Sequence, residues 1–281
     1  MGLSIRGSGA RVHVNVTSSM LDSGSLEFEG DFGASSQILV AGSTVFSTLS
    51  RAIAFLDFLF DASSTLLLLD NYFEGSGYAV YFSTGVVDGG GIIVKGNTLS
   101  TTEEDDGMES AVYVYAVVRN GGYFDVENNT MRSVSGIYLY GGMTVSSAGL
   151  LRVADCNFVG STEFADSALV YLDSSVTLQG GAQWRVEGNS VSTASVLSIT
   201  DAQQKIELSG SGTTVVLANN RQVDDSFSFA DLDQLNMVVA SPAKLVVGCN
   251  VQDDEEASYD DVFPEDVVFG CGTVQRRRGV L

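Results

Sequence analysis

The pattern apolar-x-apolar, followed three residues later by asparagine, recurs through most of this chain, and such a recurrence narrows the available folds to stacked repeats. Its copies are Leu66, Leu68 and Asn71; Ile92, Val94 and Asn97; Phe124, Val126 and Asn129; Trp184, Val186 and Asn189; Val215, Leu217 and Asn220; and Leu245, Val247 and Asn250. A seventh copy, Leu151 and Val153, carries Cys156 in the slot with Asn157 just after it. The slots at 71, 97, 129, 156, 189, 220 and 250 lie 26 to 33 residues apart, a spread that turns absorb while strands keep register.

Within each copy apolar residues alternate with polar or small ones, as in Tyr123 to Glu127, and a period of two marks a half-buried strand. A second run rich in Val, Ile, Tyr and Phe follows each slot, for example Tyr78 to Ser83, Ala111 to Ala116 and Gly136 to Tyr140. A shorter third run, such as Val86 and Val87 or Val176 to Leu178, leads into glycine. Three strands and three turns per repeat describe one coil. Helical solenoids and leucine-rich repeats need helical or leucine-heavy segments that are missing here. The expected fold is therefore all-β: a right-handed, pectin-lyase-like parallel β-helix of seven or eight coils, with the hand set by the preference of parallel crossovers. Stacking places Asn71, Asn97, Asn129, Cys156, Asn189, Asn220 and Asn250 in one column. Each amide there can donate to one neighbour and accept from another, and Cys156 is its weak point.

With 281 residues, 44% of them apolar, and two prolines, the chain can bury a continuous core as one solenoid domain. Residues 62–252 are read as regular coils and 253–281 as an acidic loop and a truncated end. Residues 1–61 are read as irregular coils with an insertion, because Leu26, Phe28 and Asp31 resemble an eighth slot 40 residues before Asn71. Met1 to Ala10 has no apolar core of a signal peptide, and Ala52 to Leu69, the most apolar stretch, contains Asp57 and Asp61, which are costly in hydrocarbon. No transmembrane segment is expected. A net charge of −21 repels phosphate backbones, so nucleic acid is not an expected partner.

The adjacent acidic pairs Asp105–Asp106, Asp224–Asp225, Asp253–Asp254 and Asp260–Asp261 fall in expected turns, where neighbours face opposite ways and do not make a catalytic dyad. The runs Glu103 to Asp106 and Asp253 to Glu256 carry oxygen ligands for calcium but lack the spacing of a dedicated loop, so no cofactor is expected beyond that weak calcium candidate. Arg132, Arg152, Arg185 and Arg221 are read at different phases of their slots, and His13 as a solvated strand residue. No catalytic residue and no metal site is assigned. Cys249 and Cys271 are candidates for a disulfide, against the alternative of three reduced thiols. Asn15 and Asn128 head the two sequons and are glycan acceptors only in a secreted chain.

The candidate binding face carries Tyr78, Tyr81, Tyr113, Tyr115, Tyr138, Tyr140 and Tyr171 on the second strands. Aromatic rings stack on sugars and anchor protein interfaces. The alternative is that about half of them point inward, since Tyr113 and Tyr115 share a face, as do Tyr138 and Tyr140.

Three stretches carry a family resemblance: Gly181 to Ser192 (GAQWRVEGNSVS), Leu245 to Val251 (LVVGCNV), and Val262 to Glu265 (VFPE) leading to Cys271-Gly-Thr273. From about Leu66 onward the chain resembles the dispersed gene family protein 1 surface proteins of trypanosomatid parasites. The resemblance implies a long, Ser-, Gly- and Val-rich extracellular protein with β-helical regions and membrane-spanning segments toward a far C-terminus. It also implies a cell-surface or extracellular location and an adhesive role without established enzymatic activity. The chain departs from that pattern in being short, in lacking a span, and in carrying Val274 and the basic tail Gln275 to Leu281 where a second family-like cysteine is expected. Truncation or a frame change would leave such an ending, and open solenoid ends are expected to self-associate.

The expected function is a non-catalytic recognition or adhesion module that binds host glycans or matrix proteins. The alternatives are a polysaccharide lyase or glycoside hydrolase on the same scaffold, and an inactive fragment of a larger surface protein. A surface cluster of two or three carboxylates with an arginine would favour the enzyme.

Overall fold

A computed structural model describes residues 3–8, 11–48, 50–102, 109–164, 166–199, 203–223, 228–231, 237–252, 255–256 and 268–269, and these contain strands and no helix. The strands form three sheets of 13, 10 and 10 members, here called A, B and C, and every pairing but one is parallel. Each coil runs from sheet A through sheet B and the slot to sheet C, then on to the next strand of sheet A. Nine rungs span the path from Leu3–Ser8 to Ala230–Asp231 in sheet A, so eight turns separate the first from the last. This is a right-handed parallel β-helix.

Sheet B holds the five-residue strands read from the sequence, including Thr65–Leu69, Gly91–Lys95, Tyr123–Glu127, Leu150–Ala154 and Gln183–Glu187. Both apolar residues of each slot point inward, and Leu66, Leu68, Ile92, Val94, Phe124 and Val126 are fully buried. Sheet C, unread in the sequence, begins just beyond the slot and is only two to four residues wide, as in Thr98–Thr101 and Thr130–Arg132. Six of its strands send one apolar side chain inward two residues past the slot: Val45, Phe73, Leu99, Met131, Phe158 and Val191. The second and third runs both belong to sheet A. They are continuous in Arg51–Phe60, Tyr78–Asp88 and Ser110–Arg119, and divided from Ser135–Leu139 and Thr144–Ser146 onward, where Gly141 and Gly142 both have φ of +75°.

The N-terminal coils are regular, which corrects the expected insertion. Leu26 and Phe28 lie in sheet A opposite Ile53 and Phe55, so Asp31 is not a slot residue. Serine fills the slot instead: Ser43 N–H donates to Asn71 Oδ1 at 2.9 Å and Ser19 N–H to Ser43 Oγ at 3.2 Å. The apolar stretch 52–69 is simply the third rung, Arg51–Phe60 followed by Thr65–Leu69. Inside, Phe28, Phe55 and Phe82 stack with centroids 4.9 Å apart, each pair adding roughly 1 kcal/mol beyond burial.

On either side of Cys156 the column of slots is better connected than a simple chain of amides. Asn71 Nδ2 donates both to Asn97 Oδ1 and to the Val40 carbonyl, each at 2.9 Å, and Asn71 N–H donates to the same Oδ1. Asn97, Asn189 and Asn220 repeat the arrangement, so at these rungs side chain and backbone together tie one coil to the next. The residue before each slot is left-handed throughout: Ser18, Gly42, Asp70, Gly96, Asn128, Asp155, Gly188, Asn219 and Cys249 have φ between +47° and +71°. Glycine, asparagine and aspartate dominate this corner because they reach that region at least cost.

Candidate recognition face and its charged neighbour

The seven tyrosines come together on the outer surface of sheet A. Val80, Phe82, Val112, Val114, Ile137 and Leu139 point into the core, so the residues between them point out. Register places Tyr81 beside Tyr113, Tyr113 beside Tyr138, and Tyr138 beside Tyr171. Their rings stack along the solenoid axis with centroid separations of 4.6, 5.6 and 5.2 Å. Tyr115 and Tyr140 form a second outward column two residues further along, and Tyr78 packs on Tyr81 and Tyr113. None of the seven belongs to the core cluster, which corrects the alternative of inward-pointing tyrosines.

Outward placement does not leave all seven rings available. Tyr113 and Tyr138 are 8% and 6% exposed because neighbouring rings cover them, whereas Tyr115 and Tyr140 are 37% and 42% exposed. Burial pushes the phenols of Tyr113 and Tyr138 well above the tyrosine range, and the Asp173 carboxylate adds to the rise at Tyr138. Stacking also consumes the π faces of the ladder, so Tyr81, Tyr113, Tyr138 and Tyr171 offer edges and hydroxyls more than faces. Sugar stacking, which needs a face, falls to Tyr115 and Tyr140.

Sheet B carries a charged cluster that was not read from the sequence. Asp125, Arg152 and Arg185 are register partners on successive coils, each four residues before its slot, so the arginines at 152 and 185 share a phase after all. Glu127 and Glu187 stand two residues later. Arg152 bridges Asp125 at 3.1 Å, Glu127 at 3.5 Å and Glu187 at 3.4 Å, while Arg185 holds Glu187 at 2.8 Å and Lys95 holds Glu127 at 3.2 Å. Burial raises the Asp125 carboxyl in spite of Arg152; at Glu187 burial acts the same way but is outweighed by Arg185 and Arg152, which hold it below its usual range. Three carboxylates face three cations, so the cluster is compensated and ties four coils together. The shared phase was the signal that could have found it.

Comparison of the chain with protein-family models, with curated proteins and with solved structures finds no match.

The remaining sequence expectations sort by position. Asn15 and Asn128 are exposed, and His13 is exposed on its strand. Cys249 is disulfide-bonded and Cys156 is a buried free thiol; Cys271 lies outside the described residues. All four acidic pairs lie outside them too, as do Glu103 and Glu104. Among the described residues no group of three or more His, Cys, Asp or Glu is arranged to hold a metal, and no helix is long and apolar enough to cross a membrane.

Proposed function

We propose that this chain is a non-catalytic recognition module, acting at a cell surface or in the extracellular space, whose sheet A face engages glycans or matrix proteins. The observation that carries the proposal is the gathering of seven tyrosines from four coils into one outward patch separate from the core. The patch lies outside the packed interior, and partly exposed tyrosines on a rigid sheet make effective contacts at low entropic cost. The resemblance to the dispersed gene family protein 1 surface proteins supports the location and the adhesive role.

The compensated cluster on sheet B supports a second reading, an acid-base hydrolase or lyase, because Asp125 and Glu187 have opposite shifts and converge on one arginine. One experiment weighs both. The folded chain is incubated with neutral glycans, glycosaminoglycans, polyuronides and matrix proteins, and both retention and new reducing or unsaturated ends are measured. Retention without cleavage, reduced by Tyr115→Ala and Tyr140→Ala, is the expected result. Cleavage abolished by Asp125→Asn or Glu187→Gln would replace the recognition module with the enzyme.

A further inference from the structure

We infer that Tyr115 and Tyr140 form a receptor corner for a guanidinium or ammonium group, so that the partner of the tyrosine face is a basic protein segment. The inference rests on the recognition reading above and narrows its ligand class. The two rings meet at 90° with centroids 5.9 Å apart and make two walls of a corner. Tyr113, tilted by 31° and 5.7 Å from Tyr140, stands behind them. Gly141 fixes the geometry, because a Cβ at that position would run into the Tyr115 ring. These are the two most exposed of the seven tyrosines, and neither ring enters a stacked pair.

The patch already accepts a guanidinium within the molecule. Arg51 lies 4.5 Å above the Tyr81 ring, at the end of the ladder where the next rung offers only Ala54. A tyrosine face attracts a cation through its quadrupole, and two perpendicular faces attract it from two sides. Charge points the same way. The chain carries 35 acidic against 14 basic residues, and the Tyr138 hydroxyl donates to the carboxylate of Asp173, adjacent to the Tyr140 rung. A field of that sign draws basic segments in and turns sulfated or uronic polysaccharides away. Neutral sugars lack the charge that this surface would use.

The test is calorimetric titration of the intact chain with an octa-arginine peptide and with an octa-citrulline peptide of the same shape and no charge. Tyr115→Leu, Tyr140→Leu and Tyr140→Phe are compared after their melting temperatures have confirmed folding. Octa-arginine is expected to bind and octa-citrulline not to bind. Each leucine variant should weaken binding by about fivefold or more, while Tyr140→Phe stays within about twofold. Leucine variants that bind like the parent would reduce the effect to bulk charge and overturn the inference. Tyrosine-dependent retention of neutral glycans, with no preference for arginine over citrulline, would overturn it while leaving the recognition module standing. Loss of tyrosine dependence toward every ligand would remove both.

Discussion

Two adjacent asparagines, Asn128 and Asn129, show how far one position along the chain changes a residue's task. Asn129 is 1% exposed, donates to the Val94 carbonyl at 2.7 Å, and accepts from both the backbone and the side chain of Asn97. Asn128 is exposed and serves by its φ of +53°. Asn129→Leu should cost about 3 kcal/mol or more, because it strands several buried polar groups, and Asn128→Leu only about 1 kcal/mol from the left-handed backbone. Equal melting temperatures for the two variants would refute this assignment. Cys156 gives a prediction of opposite sign. Its thiol reaches the Ala154 carbonyl at 3.2 Å, but Asn129 Nδ2 finds Sγ at 4.0 Å where other rungs have an amide oxygen near 2.9 Å. Cys156→Asn should stabilise the fold by about 1 kcal/mol in denaturant titration. Burial also pushes this thiol up to about 12 from 9.0. A raised folded value means the unfolded chain ionises first, so the contribution is intact below pH 9 and is lost as pH climbs from there toward 12, by at most about 1.4 kcal/mol per unit. Cys156→Asn should shed that part of the alkaline decline, and identical alkaline curves would show that the thiol plays no part in it.

At the level of elements, the turns leading into sheet B carry the clearest local cost. Asn120–Gly121 and Gly180–Gly181 take two successive left-handed residues with the side chains suited to them, whereas the equivalent turn uses Ser147 and Ala148, at φ of +50° and +61°. Ala148→Gly should therefore raise stability by about 1 kcal/mol, and a lower melting temperature would show that the alanine methyl is doing more than tolerating its turn. What was legible in the sequence followed element length. Five-residue strands such as Phe124 and Val126 with their flanks display a period of two, so sheet B and its asparagine column could be read directly. Sheet C could not, because a strand with one inward residue, such as Met131 or Phe158, has no period to detect. The first two slots were hidden by Ser19 and Ser43: the Ser43 hydroxyl accepts from the Ser19 backbone as an asparagine oxygen would, but serine is common throughout the chain. The tyrosines were legible as a group. Their mutual stacking was not, since spacings of 32, 25 and 33 residues from Tyr81 to Tyr113, Tyr138 and Tyr171 conceal a register that only pairing reveals.

For the whole molecule, the two ends of the stack differ. The first rung, Leu3–Ser8, His13–Thr17 and Met20–Leu21, is paired on one side only among the described residues, and Leu3 and Met20 are 51% and 71% exposed there. At the other end Val268–Phe269 continues sheet B, and Glu255–Glu256 turns back antiparallel on Val251–Gln252. Unpaired edges favour association while a charge of −21 opposes it. Sedimentation should therefore show mass rising with concentration, and more so in about 0.5 M salt, where screening shortens the reach of the repulsion. A single monomeric boundary at every concentration and salt would rule that association out. The discontinuity at Cys156 has a mechanical consequence as well. A chain pulled from its termini that peels from a solenoid one coil at a time breaks, at each step, one amide rung together with the strand pairings around it. Force-extension traces should show a weaker step where the coil carrying Cys156 detaches, and Cys156→Asn should raise that step to the level of its neighbours. A uniform sawtooth in the parent chain would mean that the rung bears little of the load.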